Sequence, residues 1–152
     1  MVADKPQPLK ITGGRIREFR MEDYEAVVNL WEKVGLAKQG ESTKESFLEQ
    51  QKLAKDLFLV YEVDGKVVGT VIGGWDGWRA WIYRIAVDPE HQRRGLGSRL
   101  IAEIEKRLEA KGGRKFRALI LAGNEVSKSL FEANGFYMYD KIVLGTKDSQ
   151  CC

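Results

Sequence analysis

With 152 residues, 43% of them apolar, the chain can bury one sizeable core and has the length of a single domain. Lysines and arginines number 25 against 22 aspartates and glutamates; the net charge of +3 excludes a broad nucleic-acid surface, so any electrostatic function is local. No apolar stretch approaches the roughly 20 residues that span a membrane, and Met1 to Lys10 lacks the apolar core of a signal peptide, so a soluble cytoplasmic protein is expected.

The first expected element is a strand from Arg15 to Arg20. A helix from Glu22 to Val34 follows, turning Tyr24, Val27, Val28, Leu30, Trp31 and Val34 toward the core, with Gly35 as its stop. Gly35 to Glu41 reads as a polar loop, and Ser42 with Glu45 spells a capping box for a second helix reaching Lys55. Two strands, Leu57–Val63 and Lys66–Ile72, flank Asp64-Gly65, a strong hairpin signal, and are therefore antiparallel. Trp81–Val87 is a third apolar run, closed by Asp88-Pro89. Beyond it Leu96, Leu100, Ile101, Ile104 and Leu108 recur at helical spacing up to Lys111, where Gly112-Gly113 turns the chain. A strand over 116–122, a helix over 124–134 and a closing pair of strands over 136–145 complete an α/β pattern. The domain spans 11–146, with flexible tails at 1–10 and 147–152.

Between the 81–87 strand and the helix lies His91-Gln92-Arg93-Arg94-Gly95-Leu96-Gly97-Ser98-Arg99. Two glycines permit a tight turn and close backbone approach, the amides from Gly95 to Ser98 point off a helix N-terminus, and the arginines add positive charge. Such a loop suits pyrophosphate. It lacks the spelling of a P-loop, and Leu100 stands where a dinucleotide fingerprint has its third glycine.

This spelling after a Val-Asp-Pro turn resembles the GCN5-related N-acetyltransferases, the GNAT superfamily. A second signature follows in order: the strand Phe116 to Ala122, then Asn124, Ser127, Leu130, Phe131 and Gly135-Phe136. The resemblance covers nearly the whole domain. It implies an α/β fold with a mixed, mostly antiparallel sheet, a splayed central strand pair and flanking helices. It also implies transfer of an acetyl group from acetyl-CoA to a primary amine through a tetrahedral intermediate, without a metal. By resemblance, Ile85, Ala86 and Val87 offer main-chain groups to the pantetheine arm. Arg94, Gly95, Leu96, Gly97 and Ser98 form the pyrophosphate loop, lined by Gln92 and Arg93, and Asn124 and Phe131 lie beside the cofactor. A backbone amide near Val87 stabilises the oxyanion, a contribution of about 3 kcal/mol in other acyl transfers.

The catalytic positions depart from the family. Where many members carry a tyrosine that protonates the leaving thiolate, this chain has Phe131; where others carry a glutamate base, it has Trp81. Tyr83, Tyr137, or a water held by Asp76 or Glu22 are the replacements. Without a base the acceptor's own pKa matters. A lysine amine near 10.4 is neutral in one molecule in about 2500 at pH 7, an α-amine near 7.8 in roughly 14%. The preference is therefore for a peptide N-terminus or a low-pKa small-molecule amine.

Other features have plainer readings. Trp81 is expected to fill core, and Trp75 and Trp78 to shield a turn rather than line an acceptor slot. Glu22 and Asp23 suit a helix first turn and need not attract a cationic acceptor. His91, the only histidine, is expected in an exposed loop, and Cys151 and Cys152 in a mobile tail. The missing tyrosine and glutamate also admit a non-catalytic CoA-binding sensor or interaction module. No nucleic-acid or membrane partner is expected, and a homodimer is expected only as the commonest assembly.

Overall fold

The computed structural model describes residues 14–38, 40 and 42–149. Strands β1 (Arg15–Glu18), β2 (Phe58–Val63), β3 (Lys66–Trp75), β4 (Ala80–Val87) and β5 (Phe116–Ala118) form one sheet in the order β1-β2-β3-β4-β5. All neighbours are antiparallel except β4 and β5, which run parallel. The helices are α1 (Tyr24–Lys33), α2 (Lys44–Ala54), α3 (Leu96–Lys111) and α4 (Glu125–Ala133).

Both faces of the central strands are buried, which explains why β2 reads as a continuous apolar run. Leu59 and Tyr61 join Val71, Ala80 and Ile82 beneath the α3 stripe Leu96, Leu100, Ile101, Ile104 and Leu108. Phe58, Val60, Ile72 and Ala86 pack on the other face with Phe19, Val27, Leu30, Trp31 and Phe47. Helix α3 lies directly on β3 because two positions there have no side chain. A Cβ at Gly73 would stand 2.9 Å from Ile104, and one at Gly69 3.1 Å from Leu100.

Several element ends differ from expectation. β1 stops at Glu18 rather than Arg20, because the Arg20 amide donates to Asp23 Oδ2 at 2.9 Å and turns the chain into a short 3₁₀ segment, Met21–Asp23, ahead of α1. Thr43, not Ser42, caps α2, its Oγ1 accepting from the Ser46 amide at 3.2 Å; the Ser42 carbonyl accepts from the Tyr24 hydroxyl instead. β3 continues through Trp75, which the sequence suggested was loop. β5 ends at Ala118 rather than 122, and residues 136–145 form no strand. A three-residue edge offers that segment little to pair with, and Tyr137, Tyr139, Ile142, Val143 and Leu144 remain exposed. Cys151 and Cys152 lie outside the described residues.

An ion-pair cluster joins β1, β2 and the start of α1. Arg17 meets Asp23 at 2.7 and 2.9 Å and Glu62 at 2.6 Å. Burial pulls the Asp23 carboxyl upward, but the Arg17 guanidinium and the Arg20 amide outweigh it and hold it below its ordinary value. A depressed carboxyl contributes stability above its unfolded pKa, about 3.9, that is lost as pH falls through the folded value. Asp23→Asn is expected to lower stability at pH 7 by about 1 kcal/mol, or ~2–4 °C in Tm. Urea titrations from pH 7 to pH 3 should show a shallower acid loss for the variant than for the wild type, and parallel slopes would contradict this assignment.

Candidate functional site

The β4–β5 ladder extends only from Ala80 to Ile82. From Tyr83 onward β4 has no strand beside it on that flank, so a cleft opens between the two strands. Its wall is shaped by a β-bulge: Tyr83 faces Ile72 but Ala86 faces Thr70, leaving one extra residue in β4. Arg84 carries the distortion at φ +53°, a conformation that costs a non-glycine residue about 1–2 kcal/mol. The Thr70 hydroxyl, wholly buried, donates to the Arg84 carbonyl at 2.9 Å and accepts from Trp31 Nε1 at 2.9 Å. The Arg84 guanidinium lies over the Trp31 ring, 5.0 Å from its centroid, and donates to the Leu36 carbonyl.

The bulge decides which amides meet the cleft. The Asp88 amide bonds the Val68 carbonyl at 2.8 Å, so antiparallel alternation turns the groups of Ala86 toward β3 and those of Ile85 and Val87 toward the open flank. Gln92 Nε2 donates to the Val87 carbonyl at 3.0 Å. Both main-chain groups of Ile85 and the amide of Val87 are left facing the cleft. Of the three positions expected to offer main-chain groups, Ala86 thus lies on the β3 side, its side chain buried. The Gln92 side chain braces the loop against β4.

At the end of β4 the chain turns through Pro89–His91 and enters α3. Asp88 Oδ1 accepts from the Glu90 amide at 2.9 Å, and Lys33 reaches Asp88 at 3.0 Å, tying the loop to α1. Arg93 at φ +65° and Gly95 at φ +81° are both left-handed, a curl that converges backbone amides. The first bond closing the helix runs from the Arg99 amide to the Gly95 carbonyl at 3.1 Å, so the amides of Leu96, Gly97 and Ser98 point out of its N-terminus. No side chain caps α3 and no acid occupies its first turn. In contrast, α1 has Glu25, α2 has Thr43 and Glu45, and α4 has Asn124 and Glu125. With Arg93 and Arg94 exposed beside it, this is the helix end able to receive an anion. His91 is half-buried rather than exposed, its Nδ1 enclosed without a hydrogen-bond partner.

Helix α4 closes the other side. Asn124 Oδ1 caps it through the Ser127 amide at 3.1 Å, leaving the Asn124 amide nitrogen outside that bond. Asn134 Nδ2 donates to Ser98 Oγ at 3.0 Å and to the Leu130 carbonyl at 2.8 Å, fastening α4 to the start of α3. Gly97 serves this contact, since a Cβ there would stand 2.8 Å from Leu130. The side chains of Leu96 and Phe131 are core; the Phe131 ring meets Phe136 edge-on at 4.9 Å.

The two tyrosines singled out by sequence lie on different elements. Tyr83 is on β4, 44% exposed, where Gly74 leaves room for its ring. Burial pushes its phenol pKa up, with Arg84 partly offsetting that rise. Tyr137 follows α4, 65% exposed and edge-on to Tyr139 at 5.3 Å. The hydrogen bond with Tyr139, then the Lys115 charge, draw its phenol down. Asp76 Oδ1 accepts from the Arg79 and Trp78 amides at 2.6 and 2.8 Å, which leaves Oδ2 outside those bonds, and Glu22 is exposed in the short 3₁₀ segment. Trp81 is half-buried rather than core, on the same face as Tyr83, and Trp78 is 87% exposed and shields nothing. Thr70, Arg84 and Asn134 escaped the sequence reading; the signal for Thr70 was a lone hydroxyl in the otherwise apolar Val67–Ile72 run.

The profile of the acetyltransferase (GNAT) family matches residues 16–136. An acetyltransferase of Sodalis glossinidius is 36% identical over 129 residues, 85% of this chain and 91% of that protein. The PaiA N-acetyltransferase of Thermoplasma acidophilum, solved with coenzyme A, superposes with a TM-score of 0.68 at 23% identity, over 86% of this chain and 93% of that one. The ribosomal-protein-S18-alanine N-acetyltransferase of Escherichia coli does so with a TM-score of 0.64 at 23% identity, over 80% and 76%. The chain belongs to the GNAT family, and it is an acetyl-CoA-dependent acyltransferase.

Thr70→Val tests what supports the bulge. It strips the Trp31 indole of its acceptor and the Arg84 carbonyl of its donor, an expected loss of about 1–3 kcal/mol by chemical denaturation. Hydrogen exchange at the Ala86 amide, which faces β3, should quicken beyond what the global loss explains. Unchanged exchange there would show that the bulge stands without the hydroxyl.

Proposed function

We propose that this protein moves the acetyl group of acetyl-CoA directly to a primary amine, a peptide N-terminus or a small-molecule α-amine. The observation that carries the reading is the alignment of two unsatisfied surfaces: the open main chain of Ile85 and Val87 leads straight to the uncapped N-terminus of α3. The amides of Arg94, Gly95, Gly97 and Ser98 would hold pyrophosphate, with Arg93 and Arg94 supplying charge. Pantetheine would lie along β4 and bond Ile85 and Val87, beside the free Asn124 amide nitrogen.

In this arrangement the thioester oxygen sits on an open β4 amide, that of Ile85 or of Val87. As the neutral amine attacks, the C–N bond forms and the carbonyl electrons move onto that oxygen, where the amide stabilises them. Collapse breaks the C–S bond and releases thiolate, while the ammonium proton passes to water. Tyr83 is the proposed proton donor to the thiolate. A phenol pushed above its ordinary value of about 10 stays protonated at neutral pH, which suits an acid and not a base. Tyr137 is the second candidate, its lowered pKa easing proton transfer. Asp76 and Glu22 are both exposed and only Asp76 Oδ1 is bonded, so a base acting on the amine would work through water, and an acceptor that is already substantially neutral needs it least.

Release of free CoA with a panel of N-terminal peptides, lysine peptides, polyamines and amino acids tests the reading. N-terminal peptides should be acetylated faster than matched lysine peptides. Tyr83→Phe should lower kcat by about 100-fold while KM for acetyl-CoA stays within about twofold, and should abolish the alkaline fall of the rate that Tyr83 ionisation causes in the wild type. Tight acetyl-CoA binding without turnover on any amine would favour a CoA sensor instead, a reading supported by the hydroxyl-free Phe131.

A further inference from the structure

The open face of the sheet beside Tyr83 ends in a cluster of cations. Ala80 and Ile82 point at α3, so Trp81 and Tyr83 point the other way, and Arg117 stands opposite Trp81 in the β4–β5 register. At this edge of the sheet lies a shallow cavity of about 680 Å³, with Trp75 and Gly112 on the α3 side and Trp78, Arg79, Arg114, Lys115 and Arg117 completing its lining. No acid lines it. Asp76, the carboxylate in the adjoining turn, is folded onto the Arg79 and Trp78 amides. Arg114 is used in part by the Glu109 and Gly113 carbonyls, and Lys115 by Tyr137. Arg79 and Arg117 form no ion pair with the described residues.

From this placement we propose that the cluster selects the acceptor: the preferred substrate is a peptide α-amine with carboxylate side chains within its first four residues. The inference rests on the acceptor being a peptide amine. Arg117 lies opposite Trp81, four strand positions before Ile85, which is on the order of 13 Å at ~3.3 Å per residue. An extended peptide with its amine at the open β4 amides covers that span in three to four residues. Carboxylates at its second to fourth positions thus come within reach of Arg117. A planar guanidinium pairs with a carboxylate through two parallel hydrogen bonds. The same charges repel polyamines and lysine-rich tails, so the patch acts by rejection as well as attraction.

The test uses the full chain and three peptides that share an N-terminal alanine and differ only in carrying Glu, Gln or Lys at positions two to four. We expect kcat/KM to rise about 30-fold from the Lys to the Glu peptide at low salt and to converge at high salt. Arg117→Glu should invert the order, with acetyl-CoA affinity and melting temperature held as controls for folding. Equal rates on the three peptides, or an Arg117→Glu variant that keeps the wild-type order, would overturn the charge selection while leaving N-terminal acetylation intact. Turnover on small amines but on none of the peptides would remove the peptide reading and this inference with it.

Discussion

The bonds made by one buried hydroxyl organise the cleft. Thr70 sits between Trp31 of α1 and the Arg84 carbonyl of β4, and it secures a backbone turn that a non-glycine residue otherwise avoids. A regular β4 would keep its alternation unbroken beyond Tyr83, so the amides of Ile85 and Val87 would face β3. The extra residue reverses the phase once, and those groups face the cleft. A single polar atom in an apolar layer is therefore more consequential than its size suggests, because losing it strands two buried partners at once.

Packing then sets where the second half of the site stands. Gly69 and Gly73 let α3 settle onto β3, and Gly97 lets α4 settle onto the start of α3. These contacts aim the N-terminus of α3 at the end of β4. The helix retains no cap of its own, and the loop before it carries arginines rather than acids. This helix end, unlike those of α1, α2 and α4, has neither a side-chain cap nor an acid in its first turn, so its free amides suit an anion.

Much of this was legible in the sequence because it is local. The helical spacing of Leu96 to Leu108, the Asp64-Gly65 hairpin and the glycine pair at 95 and 97 each follow from neighbours a few residues apart. The ends of elements were less legible: Thr43 rather than Ser42 stands three residues before the Ser46 amide and caps α2, while the Ser42 carbonyl accepts from Tyr24, 18 residues away in sequence. The closing strands over 136–145 failed for a similar reason. Their apolar spelling suits a strand, but a strand needs an edge, and β5 ends after three residues. Phe131 matched a family position beside the cofactor, yet its ring is core.

The sequence by itself determined the family, the glycine- and arginine-rich loop before α3 and the absence of the usual tyrosine and glutamate, since each is a matter of residue identity and short spacing. Only the tertiary structure decided that Arg84 bulges, that Ile85 and Val87 face the cleft while Ala86 does not, that Asp23 is bound to Arg17, and that cations separated by more than 30 residues of chain gather at one end of the sheet. Those outcomes depend on which distant segments share a hydrogen bond or a surface. A net charge near balance conceals such a patch, because summing over the chain discards the positions that give charge its effect.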